Sequence, residues 1–162
     1  MGYREKDNFN GCVFDILRAI KNIQDNEEVY EYPATSFLRQ LGAISPSKSK
    51  NVTPDSRVFV LKTADGASFH AFFTGNDSAC VSIFFRVEEV FNNGCAVLRV
   101  LEPINMKQGG ETVNIANEYS IDLEKICEVD SFRSTDDFIT VELHSFCAVQ
   151  CIADVDLAIH KD

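Results

Sequence analysis

Residues 144 to 151 read HSFCAVQC, a histidine and two cysteines within eight positions. Residues of these types can ligate a metal, pair a thiol nucleophile with its base, form cross-links, or act as small apolar residues of a strand. Over an extended run from Phe138 to Ile152, strict alternation places Ile139, Val141, Leu143, Cys147, Val149 and Cys151 on one face, and Thr140, Glu142, His144 and Gln150 on the other. On such a strand Cys147 and Cys151 stand ~13 Å apart, too far for a shared disulfide or one tetrahedral zinc site. His144 points away from both. The pattern therefore predicts inward-facing thiols. A zinc site would need a turn here and further ligands such as Cys127 or Cys80, and the CxxC pairs that mark such sites are absent.

Other chemistry finds less support. A cysteine nucleophile needs a histidine within hydrogen-bond reach, and His70, His144 and His160 form no motif with any cysteine. Gly109-Gly110 lacks the spacing and the Lys-Ser/Thr of a phosphate loop. Glu88-Glu89 and Asp136-Asp137 read as cross-strand pairing and turn chemistry, and Arg86, Glu88 and Arg99 as a solvated sheet face. The reading is of a non-enzyme, with no catalytic, cofactor or metal residues.

The elements that must position these residues begin with a helix. In NGCVFDILRAIKNIQDN, Val13, Ile16, Leu17, Ile20 and Ile23 follow helical spacing, with Asn10 as the expected cap. The amino-terminal segment, 1–44, is thus helical, and the Ser, Pro and Lys composition of 45–56 reads as a linker. From 57 to 162 the period is two. Asp65-Gly66 predicts a type I′ hairpin in which Val58 and Val60 share a face with Ala71 and Phe73. Asn93-Gly94 predicts a second hairpin, pairing Val87 with Val100, Phe91 with Ala96 and Glu88 with Arg99. INMKQGGETVNIANEYS reads as a long loop or an irregular pair of short strands. Fold class is mainly β: a β-sandwich or open barrel with an N-terminal amphipathic α-helix, in one compact unit.

The formal charge of -10, from 25 acidic and 15 basic residues, repels phosphate backbones and anionic membranes, so neither nucleic acid nor a membrane is an expected partner. No stretch approaches the ~20 apolar residues of a bilayer-spanning helix, and the amino end has no signal-peptide h-region, so synthesis in the cytosol is expected. Six cysteines exceed what packing in a reducing compartment requires. They remain buried thiols, or the protein later meets an oxidising environment.

IFFRVEEVFNNGCAVLRVLEP at 83 to 103 and ITVELHSFCAVQCIADVDL at 139 to 157 resemble the two signature segments of the spore coat family containing CotY, CotZ and the exosporium protein ExsY. The pattern is similar to I/F-F-R-V-E, a short turn and C-A-x-L, then C-F-C-A-I/V-Q-C. The resemblance implies a structural protein made in the mother cell and deposited in the spore coat or exosporium basal layer. It implies a homo-oligomer in an extended lattice with other coat or exosporium proteins, reinforced by cysteine cross-links and needing no cofactor. The candidate cross-linking residues are Cys12, Cys80, Cys95, Cys127, Cys147 and Cys151.

The chain departs from that pattern where Tyr32 and Ser36 replace a C-P-x-x-C-like pair, where Ser145 replaces the first cysteine of C-F-C, and at Phe138. Loop thiols being the accessible ones, it is expected to cross-link less densely than its relatives, chiefly through Cys12, Cys80 or Cys95. The alternative from another class is a cytosolic thiol- or zinc-binding module.

Overall fold

The computed structural model describes residues 11–26, 54–74, 80–118 and 120–159. The expected cap Asn10, the linker up to residue 53, Tyr32, Ser36 and His160 lie outside them.

Helix α1, Gly11–Asn26, forms where the apolar spacing places it, but its buried stripe is rotated from the expected one. Val13, Phe14, Leu17, Ile20 and Gln24 are buried, whereas Ile16 is 43% exposed. The polar member of that stripe is bonded at both ends of its amide. Gln24 Nε2 donates to Val87 O at 2.9 Å, and its Oε1 accepts from Arg57 N at 3.1 Å. The helix is thereby tied to two strands of the chain's own sheet, and each fully buried apolar side chain adds about 1.5–3 kcal/mol.

The strands are β1 (Ser56–Thr63), β2 (Ala71–Phe72), β3 (Val81–Ser82), β4 (Phe85–Val90), β5 (Cys95–Asn105), β6 (Glu111–Thr112), β7 (Ser131–Glu142) and β8 (Phe146–Val155). The main sheet runs β8-β1-β4-β5-β7, all neighbours antiparallel, with β6 on the distal end of β5. Only the single turn Leu143–Ser145 separates β7 from β8, yet these two strands are the opposite margins of the sheet. A sheet whose two margins must meet at such a short link has to curl. The fold is accordingly mainly β, a half-barrel open between β7 and β8 with α1 against its inner face.

Two apolar clusters line the two faces. The first joins Val13, Phe14, Leu17 and Ile20 of α1 to Phe59, Leu61, Phe85, Val87, Leu98, Val141 and Leu143. The second places Val58, Val60, Phe84, Leu101 and Ala153 under Val113, Ile115, Ile121 and Ile126. The segment from Ile104, expected to be a long loop or an irregular pair of short strands, therefore covers the outer face. It turns back through β6 and a short helix α2, Leu123–Ile126, whose first turn is capped by the Asp122 carboxylate.

Both hairpin turns differ from the expected type I′. At each, three residues intervene and only the third, glycine, has positive φ: Gly66 at 86° and Gly94 at 95°. Thr63 N donates to Ala67 O and Gly66 N to Thr63 O, while Phe91 N donates to Cys95 O and Gly94 N to Phe91 O, the pattern of a type I turn followed by a glycine bulge. Asp65 and Asn93 stabilise the turns by accepting the amides of Ala67 and Cys95. The bond from the Thr63 hydroxyl, and then that from the Ala67 amide, hold the exposed Asp65 carboxyl below its ordinary pKa.

The extra turn residue corrects the second hairpin's register. Val90 pairs with Ala96 and Glu89 with Val97, and a bulge at Glu88 then shifts the remainder so that Val87 pairs with Leu98 and Phe85 with Val100. The bulge puts Glu88 and Glu89 together outside, so Val87 and Val90 both stay in the core. The first hairpin is also corrected. After Lys62 bridges Ser68, β2 leaves β1 to pair with β3, and Val58 and Val60 end in the outer cluster while Ala71 and Phe73 join the inner one.

Candidate functional site

The expected single strand from Phe138 to Ile152 is broken by the turn at Leu143–Ser145, which sends its halves to opposite margins. Even so Ile139, Val141, Leu143, Val149 and Cys151 all reach the inner cluster, as alternation predicts. Cys147 does not. The β1–β8 pairing shifts register between Lys62 and Thr63, opposite this residue, and the sulfur is turned outward, donating to Thr63 O at 3.2 Å. A local bulge reverses the face that strict alternation assigns.

The six cysteines are free. Cys12 is exposed on α1, Cys80 just before β3, Cys127 at the end of α2, and Cys147 on β8. Cys95, following the β4–β5 turn, and Cys151, opposite Phe59, are half-buried. Burial pushes the Cys151 thiol up in pKa more than the nearby Arg57 guanidinium lowers it, which keeps this sulfur protonated at neutral pH.

Among the described residues no histidine is bonded to any of them. His144 sits in the β7–β8 turn against Gly94, and His70 lines an open cleft of about 570 Å³ between the turn after β1 and residues 116–118 and 120–123, with Ser68, Val81, Asn117 and Leu123. Among the described residues no three His, Cys, Asp or Glu side chains converge as metal ligands would.

The arginine cluster is not the solvated face expected of it. The Arg86 side chain is 3% exposed, with Nε on Ser56 Oγ at 2.6 Å, one terminal nitrogen on Glu88 at 2.7 Å and the other on Asp55 O at 3.2 Å. Glu88 also accepts from Arg99 Nε at 2.8 Å, so the expected Glu88–Arg99 pairing forms across a different register. Arg99 continues to Thr135 O at 2.7 Å and lies over the Phe138 ring. Asp55 accepts the amides of Leu157 and Ile159, fastening the carboxyl-terminal segment to the same network. Farther along, Arg57 grips Asp154 with Nε–Oδ1 at 2.9 Å and a second bond at 3.3 Å. These charges knit strands together and offer no open face to a substrate. Sequence reasoning missed Gln24 and Asp55. Gln24 was detectable as the residue four past Ile20 on the apolar stripe, whereas Asp55, inside a Ser/Pro-rich stretch, carries no such signal.

A family model described as "Spore coat protein Z" matches residues 1–154. A curated relative, "Spore coat protein Z" of Bacillus subtilis (strain 168), is 26% identical over 138 residues, covering 85% of this chain and 87% of its own length. No solved structure matches.

Proposed function

The chain belongs to the spore coat protein Z family, and on that premise we propose that it is a structural subunit of the outer layers of a bacterial endospore, assembling with copies of itself into an extended lattice. Surface thiols then harden that lattice by cross-linking. Synthesis in the mother cell, deposition in coat or exosporium, and contacts with other proteins of those layers belong to the same reading.

The observation that carries it is the placement of the thiols. Four exposed cysteines stand at four separate places along the chain, on α1, before β3, after α2 and on β8, and none is bonded to another. Oxidation of such a surface joins copies more readily than it staples one copy internally, because a disulfide needs its two α-carbons within about 7 Å. Of the six candidate cysteines, exposure favours Cys12, Cys80, Cys127 and Cys147 for cross-linking and disfavours the half-buried Cys95 and Cys151. The rival zinc-binding reading lacks a set of converging ligands among the described residues.

Peptide mapping of oxidised, assembled protein without reductant tests the cross-linking. Intermolecular disulfides are expected at Cys12, Cys80, Cys127 and Cys147, with Cys151 recovered as a thiol. Six free thiols in that material would overturn it, and stoichiometric zinc in the freshly purified, reduced protein would favour the rival.

A further inference from the structure

The two margins of the half-barrel are protected very differently. Along β7 the ladder opens between the partners of Arg99 and Leu101, and residues 135–137 bulge. There Asp136 is fully exposed and the Asp137 carboxylate accepts Thr74 N at 2.8 Å, so the margin is both charged and partly covered. Arg133 and Glu142 add charge toward its ends. Bulges and charges of this kind keep a free edge from pairing with another chain. Strand β8, FCAVQCIADV, is also bulged, at Cys147 and Ile152, but Ala148–Cys151 between them stay in regular register; it has no Lys, Arg, Glu or Pro, and its single charged residue, Asp154, is buried and held by Arg57.

The direction of the β8 backbone follows from its partner. Thr63 N and Leu61 O bond to the returning segment at Ala67 and Phe69, so these β1 residues turn their polar groups away from β8. Val149 lies opposite Leu61, and Cys151 opposite Phe59 in the same phase. Across an antiparallel ladder such pairs both point outward, which aims the N–H and C=O of Val149 and Cys151 at the open margin. Nothing among the described residues pairs with that side.

We infer that β8 pairs edge to edge, antiparallel, with β8 of a second copy across a two-fold axis, supplying one of the contacts of the assembly. The inference rests on the self-assembly reading and specifies its surface. A second copy fits because antiparallel self-pairing offers each donor the matching acceptor on an identical strand. It also fits the charge. With a net charge of -10 on each copy most approaches are repulsive, and β8 brings no unpaired charge to the contact.

Gln150, half-buried near the middle of β8, is the position to alter. Two-fold symmetry brings its substituents near one another, so Gln150→Glu and Gln150→Lys should each weaken association by about ten-fold or more through like-charge opposition, with an unchanged circular dichroism spectrum. Mixing the two variants should restore it. Hydrogen exchange of the full-length assembly should slow in peptides covering 146–152, relative to dispersed protein, and not in those covering 133–138. Assembly that leaves β8 exchanging as in the dispersed protein, or variants that assemble as well as the parent, would overturn the edge contact and leave the self-assembly reading standing. Protection of β8 only when a different protein is added would assign the edge to that partner and overturn the second copy. A protein that stays dispersed at every concentration overturns both.

Discussion

The imidazole of His144 lies over the bare α-carbon of Gly94: a Cβ on that glycine would stand 2.7 Å from Cε1 of the ring. Leu143 N donates to Gly94 O at 2.9 Å beside it, so the β4–β5 turn and the β7–β8 turn are docked on one another. Gly94 is constrained twice, by this contact and by its φ of 95°.

The two constraints separate by substitution. The exposed ring can swing aside, but the backbone cannot leave the left-handed region, so Gly94→Ala should cost about 1–2 kcal/mol in urea unfolding. Gly94→Asn should cost less, since asparagine tolerates that region, and removing the ring with His144→Ala should not rescue Gly94→Ala. Full rescue would make the side-chain contact the dominant constraint.

Gln24 is the polar member of the helix stripe and is 1% exposed. Gln24→Ala strands Val87 O and Arg57 N without their partner and should lower stability by about 1–3 kcal/mol. Gln24→Leu, which restores the apolar volume but not the bonds, should recover little of it in the same unfolding measurement. Recovery to the parent value would show that the amide contributes only by packing.

Arg86 should be the most sensitive charged position. Its loss leaves Ser56 Oγ and Asp55 O without their donor and Glu88 short of one cation, so Arg86→Ala should destabilise by about 3–5 kcal/mol, as broken buried pairs do. Arg86→Lys should rescue only in part, because an ammonium cannot reproduce a fork that reaches three partners. An Arg86→Ala variant as stable as the parent would contradict the network.

Asp154 gives the protein a pH signature. Burial raises its carboxyl pKa above the ordinary 3.8 more than the Arg57 bonds lower it. The folded state therefore binds the proton more tightly than the unfolded chain does. This group favours folding most below that ordinary value, and its contribution falls as pH rises through the raised folded pKa. Asp154→Asn should remove that loss, so the difference in stability between variant and parent should grow as pH rises across the window. A difference that is flat with pH would mean the carboxyl is not raised.

The fold was legible wherever period carried it. The α1 helix and the inward face of Ile139, Val141, Leu143, Val149 and Cys151 follow from apolar spacing, and both turn sites from their Asp-Gly and Asn-Gly pairs. What escaped were features worth one residue each. The glycine bulges at Gly66 and Gly94 and the bulge at Glu88 change register, and alternation cannot show where a ladder skips. The same limit hid the exposure of Cys147. The turn at Leu143–Ser145 was invisible for another reason: LHS contains no Gly, Pro, Asn or Asp, and the alternation passes through it unbroken. Arg86 was misread because its spacing marks a sheet face without revealing that Asp55, Ser56 and the carboxyl-terminal segment close over it.

In the proposed assembly, non-covalent contacts between copies build the lattice and the thiols only harden it. Electron microscopy of the purified, full-length protein, with and without strong reductant, tests this most directly. Ordered sheets or closed shells that persist in reductant are the predicted result; dispersed monomers under both conditions would contradict it.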